Sequence, residues 1–334
     1  MTDQAFSGTL FLTDADVHRT ADWSAAIATL RRAYRAKVEP AMVPPRSMAR
    51  APGMWLRSLT AISPLDGYMG CKLIAASPRI KCASYLIALF DPASMNLHAL
   101  IDGNQITGIR TAATAVVAVD ALAPQQPLRV AVLGSGFEAR AQLTALAAVR
   151  AIASVKVFSP TAAKRLQFAA DFSASLGLPV IATDTAAAAV ADSDVVICAA
   201  RAQNEVPVLQ GEWLQPGMTV VSIGSTLPEQ REVAVNVLER AHLIVADMPD
   251  EVAHDSGDLL AATQAGIEFS HKLVSLHDVL GEPRITRKTP TDIVIYKSVG
   301  SALQDIVISE MLLARARELG IGTPLPASIV PVAK

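Results

Sequence analysis

The chain has 334 residues with a formal net charge of −2, and 51% of the residues are hydrophobic while 18% are charged. This composition excludes a disordered chain, allows two domains with separate cores, and provides no electrostatic field for nucleic acid or a membrane surface. The first residues lack the basic start and apolar run of a signal peptide, no apolar stretch is long enough to span a bilayer, and the three cysteines and six histidines lack metal-ligand spacing. We therefore expect a metal-free, cytoplasmic protein without a signal peptide.

The two ends of the chain predict one split domain. After the first of its helices comes a proline-punctuated segment containing MVPPRS, followed by short strand-like runs. The expected elements are a helix over 23–37, a strand over 84–90, a helix from about Arg110 to before Pro124, and a helix over 298–320. We expect the last helix to return to the N-terminal domain, so that residues 1–122 and 300–334 form one mixed α+β unit.

Residues 123–299 alternate β-branched runs with alanine-rich stretches, as repeated βαβ units and a parallel sheet require. Strands are predicted at 128–133, 154–158, 179–182, 194–198, 219–223 and 242–246, with helices at 137–151, 161–176 and 185–192. The strands are apolar on both faces, which indicates helices on both sides of the sheet. The predicted fold is therefore α/β, with a doubly wound Rossmann sheet inserted in the mixed α+β domain.

A glycine-rich turn lies between the first strand of this sheet and its first helix. Small residues there permit a tight turn, close approach of the backbone to a pyrophosphate, and close packing of the helix on the sheet. The helix N-terminus then presents N–H groups to the phosphates. The predicted dinucleotide-binding residues are Gly134, Ser135, Gly136, Phe137, Glu138 and Ala139.

The end of the second strand bears on the choice of nucleotide. NAD-binding proteins usually carry an acidic residue there for the ribose hydroxyls, whereas this chain has Ser159 and Thr161, followed by Lys164 and Arg165. Without the carboxylate a 2′-phosphate is not repelled, which favours NADP over NAD. The alternative is that Lys164 and Arg165 are solvated residues on the surface of a helix and have no part in nucleotide binding.

Several segments in order resemble the ornithine cyclodeaminase/mu-crystallin family. These are VPPR (43–46), GCK (70–72), RTAATA (110–115), LGSGFEARAQL (133–143), GEWLQPGMTVVSIGS (211–225) and YKSVGSALQD (296–305). The resemblance runs from about Met42 to Gly322. It implies a Rossmann domain joined to a mixed-sheet domain that dimerises, and hence a homodimer acting on a small imino or amino acid with NAD(P).

The resemblance also implies roles for individual residues. Arg46 and Arg110 would bind the substrate carboxylate through guanidinium forks, and Lys72 would donate a proton or hydrogen bond to the developing amine. As isolated residues, the three would instead be interpreted as ion pairs or a solvated lysine. Further cofactor contacts would come from Thr111, Ala199, Ala200, Gly224, Ser225, Ser298, Val299 and Gly300.

One position departs from the cyclodeaminase pattern. Where cyclodeaminases carry an aspartate after a VGG-like segment, this chain has Thr226, which cannot act as a carboxylate base. The interpretation is therefore a family member that reduces a 2-imino acid to a 2-amino acid, or catalyses the reverse dehydrogenation. Two alternatives remain: an ornithine or lysine cyclodeaminase that uses bound NAD, and a non-catalytic, nucleotide-bound protein like mu-crystallin.

Three further cations lie near the substrate motifs, namely Arg57, Arg79 and Lys81. One of them could bind a second carboxylate, which would make the substrate a dicarboxylic imine such as iminosuccinate. The alternative is that all three are exposed.

Overall fold

The computed structural model describes residues 8–65, 67–200, 204–281 and 285–333. The chain divides into two compact units, one of Met1–Arg110 with Ser301–Lys334 and one of Thr111–Gly300. The division falls inside the helix Gly103–Leu122, at whose end the sequence placed the domain boundary.

The first unit is built on a seven-stranded mixed sheet. Strand order is β15-β1-β6-β5-β4-β3-β2; β1 and β6 are parallel and the other neighbours antiparallel. The strands are β1 (Leu10–Leu12), β2 (Ser47–Ala51), β3 (Met54–Ile62), β4 (Met69–Ser77), β5 (Cys82–Phe90), β6 (Leu97–Asp102) and, after the strands of the second unit, β15 (Thr323–Pro324).

In the described ranges, the helices of this unit cover one face of the sheet. Along β3, Arg57, Leu59 and Ala61 are buried, while the alternate residues Met54 and Leu56 are exposed, as the two-residue period of a strand requires. The helices of the unit are α1 (Asp14–Thr20), α2 (Trp23–Arg35), the first part of α3 (Gly103–Leu122) and the C-terminal α11 (Ala302–Leu319). Helix α11 contacts α2 and the strands β3, β4 and β5, so it covers the inner face.

The second unit contains an eight-stranded sheet in which all neighbours are parallel, in the order β13-β12-β14-β11-β10-β7-β8-β9. Its strands are β7 (Leu128–Leu133), β8 (Ile152–Phe158), β9 (Val180–Ala182), β10 (Val195–Cys198), β11 (Thr219–Ser222), β12 (Leu243–Ala246), β13 (Leu273–Ser275) and β14 (Val294–Lys297). Its helices after α3 are α4 (Phe137–Ala147), α5 (Ala162–Leu176), α6 (Ala186–Val190), α7 (Val235–Arg240), α8 (Pro249–Asp255), α9 (Gly257–Gln264) and α10 (Leu276–Leu280). The predicted fold class, a Rossmann-type parallel sheet with a separate mixed sheet, is confirmed.

Two helices begin four or more residues away from their predicted starts. Helix α3 starts at Gly103 rather than near Arg110, because Asp102 Oδ1 accepts the Asn104 N–H at 3.0 Å and so opens the helix despite its glycines. The last helix starts at Ala302 rather than at residue 298, because the Ser301 side chain caps it by accepting the Leu303 N–H.

The motif residues Ser298, Val299 and Gly300 therefore precede the last helix instead of forming its first turn. Directly before them lies β14, a strand that the sequence analysis missed. It pairs with both β11 and β12 in the parallel sheet.

Candidate active site

Lys72 lies on β4 and points to the inner face of the seven-stranded sheet. Its cross-strand partners Leu59 and Ile87 are buried, and Lys72 itself is only 1% exposed. Its Nζ donates to Thr107 Oγ1 at 2.6 Å and to Asp305 Oδ1 at 2.9 Å. These bonds fix the direction of the ammonium and compensate part of its desolvation.

Arg110 reaches the same carboxylate from α3. Its Nε lies 3.3 Å from Asp305 Oδ1, and its Nη1 donates to Gln304 Oε1 at 3.1 Å. Gln304 is held in turn, because its Nε2 donates to the hydroxyl of Tyr34 at 2.8 Å. The structure thus brings two of the three predicted substrate residues, Lys72 and Arg110, together around one aspartate.

The position of Arg46 follows from the strand register. Arg46 is half-buried and directly precedes Ser47, which pairs with Ser58 on β3. Ser58 is adjacent in the chain to Leu59, which is the cross-strand partner of Lys72. Arg46 therefore lies at the start of β2, two strands away from Lys72 in the sheet.

Of the three additional cations, only Arg57 is buried. It is 6% exposed, pairs with Ile74 of β4, and stacks on Trp55 at 5.1 Å from the ring centroid. Because Arg57 is two residues from Leu59, it shares the inner face with Lys72. Arg79 and Lys81 are exposed near the turn between β4 and β5.

In the second unit, the glycine-rich turn has the geometry that a pyrophosphate requires. Gly134 adopts a φ of +129°, and a Cβ there would lie 2.5 Å from the carbonyl oxygen of Ala199, so only glycine fits. A Cβ on Gly136 would meet nothing within 4 Å, and Gly136 caps α4 without a side-chain hydrogen bond. The cap position of α4 therefore carries no side chain that would crowd an anion, and helix N-termini are favourable places for anions to bind.

The remaining residues of this motif are placed by the helix start. Phe137 is the first residue of α4 and is exposed, Glu138 is half-buried, and Ala139 is completely buried. Ser135 Oγ donates to Ser159 Oγ at 2.9 Å, which ties the turn to the end of β8.

A cavity of about 370 Å³ lies beside this turn. Its walls include Gly134, Phe158 and Pro160 together with Thr185 and Val208. Nearby, Arg165 donates to the Ser159 carbonyl at 3.1 Å and to Asp184 Oδ1 at 2.7 Å. Lys164 is exposed, as is Thr161, which caps α5 without a side-chain hydrogen bond.

The segment after β14 is fixed by a buried aspartate, Asp247. Its Oδ2 accepts from Ser298 Oγ at 2.6 Å and from the Gly300 N–H at 2.9 Å, and its Oδ1 accepts the Val299 N–H at 3.1 Å. All three predicted cofactor residues of this segment are therefore held by one carboxylate.

The other predicted cofactor residues lie at the carboxyl ends of β10 and β11. The Ala199 N–H continues the sheet by donating to Leu133 O, while the N–H groups of Ala200 and Gly224 both donate to the carboxylate of Glu232. Ser225 is buried and donates to Gln230 O. Thr111 is a buried residue of α3, next to Arg110.

Thr226 is engaged in a local turn. Its N–H and hydroxyl both donate to Gln230 Oε1, at 3.0 and 3.3 Å. No carboxylate is present at this position.

Glu232 belongs to a buried charge cluster with Lys297 and Asp258, all three 0% exposed. Burial raises the pKa of Glu232 from 4.5 to about 7, against the lowering effects of Lys297, Ser222 and Gly224. Burial likewise raises the pKa of the nearby Cys198 thiol well above its usual value, so that thiol stays protonated and inert.

The carboxylates Asp247, Glu232, Asp258 and Asp305 were not among the predicted site residues. Asp305 lies within the segment YKSVGSALQD, and its place in the first turn of a helix that continues with apolar residues was a usable signal, since a buried helical acid needs a partner. No comparable signal marks Glu232 or Asp247.

Within the described ranges, no group of three or more His, Cys, Asp or Glu side chains is arranged to hold a metal ion. The helices of the described residues are all too short or too polar to cross a membrane.

The raised pKa of Glu232 predicts a pH-dependent stability. The folded state binds a proton more tightly than the unfolded state, so the free energy of unfolding should fall as pH rises from about 4.5 to about 7. Glu232→Gln should remove this contribution, up to about 3 kcal/mol across the window. Urea unfolding at several pH values measures the difference between variant and parent. The exposed Glu239→Gln is the control, and equal pH slopes for parent and E232Q would contradict the prediction.

Comparisons with known proteins agree with this architecture. The model of the ornithine cyclodeaminase/mu-crystallin family matches residues 9–319. A Delta(1)-pyrroline-2-carboxylate reductase of Bacillus cereus is 27% identical over 260 residues, covering 76% of this chain and 79% of that protein. The ketimine reductase mu-crystallin of Rattus norvegicus is 29% identical over 227 residues, or 68% and 67% of the two chains.

A solved structure extends the similarity over nearly the whole chain. It is that of Thermococcus litoralis Delta(1)-pyrroline-2-carboxylate reductase in complex with NADH and L-proline, with a TM-score of 0.86 and 25% identity, covering 95% of this chain and 100% of that one. On the match of the family model to most of its length, this chain belongs to the ornithine cyclodeaminase/mu-crystallin family.

Proposed function

We propose that this protein catalyses the NAD(P)H-dependent reduction of a 2-imino acid to a 2-amino acid, or the reverse dehydrogenation. The buried cluster of Lys72, Asp305 and Arg110 carries this proposal, because it offers a carboxylate-binding guanidinium beside a proton-donating ammonium. The reductases of B. cereus and R. norvegicus, and the T. litoralis structure with NADH and L-proline, support the same reaction class.

The second unit fits a dinucleotide. The Gly134 turn, the open N-terminus of α4 and the cavity beside them suit a pyrophosphate and the adjoining nucleoside. When bound, the reduced nicotinamide supplies the hydride. The residues proposed to hold the cofactor are those of the turn with Ser159 and Thr161, the strand-end residues Ala199, Ala200, Gly224 and Ser225, and Thr111, Ser298, Val299 and Gly300.

The nucleotide preference is proposed to be NADP. Ser159 and Thr161 stand where an acidic residue would repel a 2′-phosphate, and Arg165 is held against the Ser159 carbonyl. Arg165 also forms an ion pair with Asp184, whose side chain is 96% exposed. Solvent screening weakens this ion pair, so Asp184 competes only weakly with a 2′-phosphate for Arg165.

On the substrate side, Arg46 and Arg110 are proposed to bind the carboxylate. Lys72 is proposed to donate a proton to the nitrogen of the reduced imine, since Thr107 and Asp305 direct its Nζ and stabilise its positive charge. Thr107 can accept this bond because its own hydroxyl proton goes to the Gly103 carbonyl.

Thr226 disfavours cyclodeamination. Its hydroxyl is already donated to Gln230 Oε1, and it has no carboxylate with which to neutralise a substrate ammonium. Thr226 is therefore not proposed to act as a base.

Arg57 is proposed to select a substrate with a second carboxylate. It shares the inner face of the sheet with Lys72 at a diagonal position, for which Cβ atoms are typically about 7–8 Å apart. That spacing suits a small dicarboxylic imine such as iminosuccinate, with one carboxylate at Arg46 and Arg110 and the other at Arg57.

The outer face of the seven-stranded sheet is proposed to form a homodimer. Met54, Leu56, Ile62 and Leu86 are 51%, 49%, 47% and 38% exposed and lie on strands β3 and β5 of one sheet. An uncovered apolar sheet face of this kind is a typical protein–protein interface, and a second copy of the chain offers a complementary one.

The first test measures NADH and NADPH oxidation against a panel of 2-oxo acids with and without ammonia or methylamine, and against cyclic imines. Ammonia release from ornithine runs alongside. We expect amine-dependent or cyclic-imine-dependent oxidation, faster with NADPH. Lys72→Met should lower kcat by about 10²-fold or more while nucleotide affinity is retained, whereas the exposed Lys37→Met should change neither.

Other outcomes of this test identify the alternatives. Ammonia release from ornithine without net oxidation would show a cyclodeaminase. An absence of turnover with every substrate, with nucleotide still bound, would show a binding protein.

The substrate proposal predicts that oxaloacetate with ammonia is used better than pyruvate with ammonia. Arg57→Gln should lower kcat/KM for the dicarboxylic pair by about 10²-fold with little effect on the monocarboxylic pair, because truncating one partner of a buried charged hydrogen bond costs about 2–5 kcal/mol. The exposed Arg79→Gln is the matched control. Equal use of the two pairs by the parent would overturn this assignment.

The dimer proposal predicts that Leu56→Glu dissociates the protein into monomers, since a buried unpaired charge destabilises an apolar interface. Light scattering coupled to size-exclusion chromatography measures the mass. Leu166→Glu, at a 60% exposed position of α5, should leave the mass unchanged. A monomeric parent would contradict the proposal.

A further inference from the structure

The carboxylate of Glu232 bonds to the ends of two neighbouring strands. Its Oε1 accepts the Ala200 N–H at 3.3 Å, just beyond β10, and its Oε2 accepts the Gly224 N–H at 2.8 Å, just beyond β11. Ser222 Oγ donates to the same Oε2 at 2.6 Å. One side chain with no solvent exposure therefore sets the positions of both strand ends.

The loop after β11 sits directly against this carboxylate. A Cβ at Gly224 would lie 2.4 Å from Glu232 Oε1 and 3.1 Å from the Ala200 carbonyl oxygen. A side chain at position 224 would therefore clash with the Glu232 carboxylate, and with glycine there the backbone N–H comes within hydrogen-bond distance of Oε2, at 2.8 Å.

Among the described residues, the charged and titratable groups around Glu232 lie on β14, α9 and β10 and on the neighbouring residue Arg231. Lys297 of β14 donates from Nζ to Ser222 Oγ and to Asp258 Oδ2, both at 2.9 Å. Asp258 of α9 accepts the Glu232 N–H at 2.8 Å and lies 3.3 Å from Arg231 Nε. Among the described residues, Cys198 of β10 is a further titratable neighbour, and its thiol is neutral.

We propose that Glu232 is a positioning residue for the nicotinamide nucleotide. In its ionised form it holds the strand ends at Ala200 and Gly224 in the arrangement that binds the nucleotide. Protonation of Glu232 loosens these two strand ends and weakens nucleotide binding. This inference rests on the proposed function, since Ala200 and Gly224 matter only if that nucleotide binds.

The protonation step falls in an accessible pH range. Burial raises the pKa of Glu232 to about 7, with Lys297 and the Ser222 and Gly224 bonds acting in the opposite direction. Protonation turns charge-assisted hydrogen bonds into neutral ones, which are roughly half as strong. Protonation also gives one carboxyl oxygen of Glu232 a proton to donate. The three groups that bond to this carboxylate are themselves donors, so the new proton is poorly matched to them.

The test is a fluorescence titration of the full chain with NADH, without substrate, between pH 6 and pH 8. NADH is chosen because it lacks the 2′-phosphate, which as a phosphate monoester would itself titrate near pH 6. We expect the parent Kd to rise by about tenfold as pH falls across this range, because below its pKa a single titrating group changes Kd by up to tenfold per pH unit. Glu232→Gln should bind NADH more weakly at pH 8 and show a flat profile, while Glu239→Gln follows the parent.

A second variant keeps the test decisive if E232Q does not fold. Ser222→Ala removes a bond that favours the carboxylate form, so the midpoint of the Kd profile should move to higher pH. At saturating nucleotide, kcat of the folded variants should stay near that of the parent, which separates positioning from chemistry.

The outcomes distinguish the two proposals. A parent Kd that is constant from pH 6 to pH 8, or an E232Q profile that parallels the parent, would overturn the role of Glu232 and leave the proposed function intact. A parent that binds neither NADH nor NADPH would overturn both.

Discussion

Each of the two units buries a lysine ammonium, and the cost of removing that charge from water constrains the residues around it. Lys72 is 1% exposed and Lys297 is 0% exposed, so neither can be solvated in place. Each is therefore paired with a carboxylate from a helix, Asp305 of α11 and Asp258 of α9, at 2.9 Å in both cases. A buried charge without such a partner would cost several kcal/mol, which means that these helices must pack where their aspartates reach the lysines.

The two clusters differ in their balance of charge, and the difference fits their proposed roles. Among the described residues of the first unit, one carboxylate, Asp305, contacts two cations, Lys72 and Arg110. In the second unit two carboxylates, Glu232 and Asp258, surround Lys297, with Arg231 alongside. Among the described residues, that cluster contains two carboxylates and two cations when Glu232 is ionised, and its carboxylates accept hydrogen bonds from the backbone N–H groups of Ala200, Gly224 and Glu232.

The sequence predicted the parts of the structure that depend on local pattern. The strand over 128–133 and the glycine-rich turn after it follow from β-branched runs and from a backbone conformation that only glycine adopts. Strand β14 was missed because its few apolar residues run directly into the KSVG motif, so that neither a turn nor a change of period separates them. The early start of α3 was missed because glycines are poor helix formers, and the capping by Asp102 is visible only in three dimensions.

The site residues show the same division. Lys72 and Arg110 could be chosen from motifs, but the carboxylate that joins them is 233 positions from Lys72 in the chain. Glu232 is linked to Gly224, only eight positions away, yet the loop between them gives no sign that its glycine touches a carboxylate. Pairings of buried charges depend on packing, and a single sequence does not encode them in any periodic form.

The segment Lys297–Asp305 shows why some motifs are recognisable in spite of this. Lys297 belongs to the charge cluster of the second unit, and Ser298, Val299 and Gly300 are bound by Asp247. Ser301 caps α11, and Asp305 pairs with Lys72. Four of these residues, Lys297, Ser298, Ser301 and Asp305, make their contacts through side chains, and Gly300 adopts a φ of +82°, which favours glycine. Each of these five positions therefore has its own physical reason for the residue that occupies it, and the reasons follow one another closely enough in the chain to form a motif.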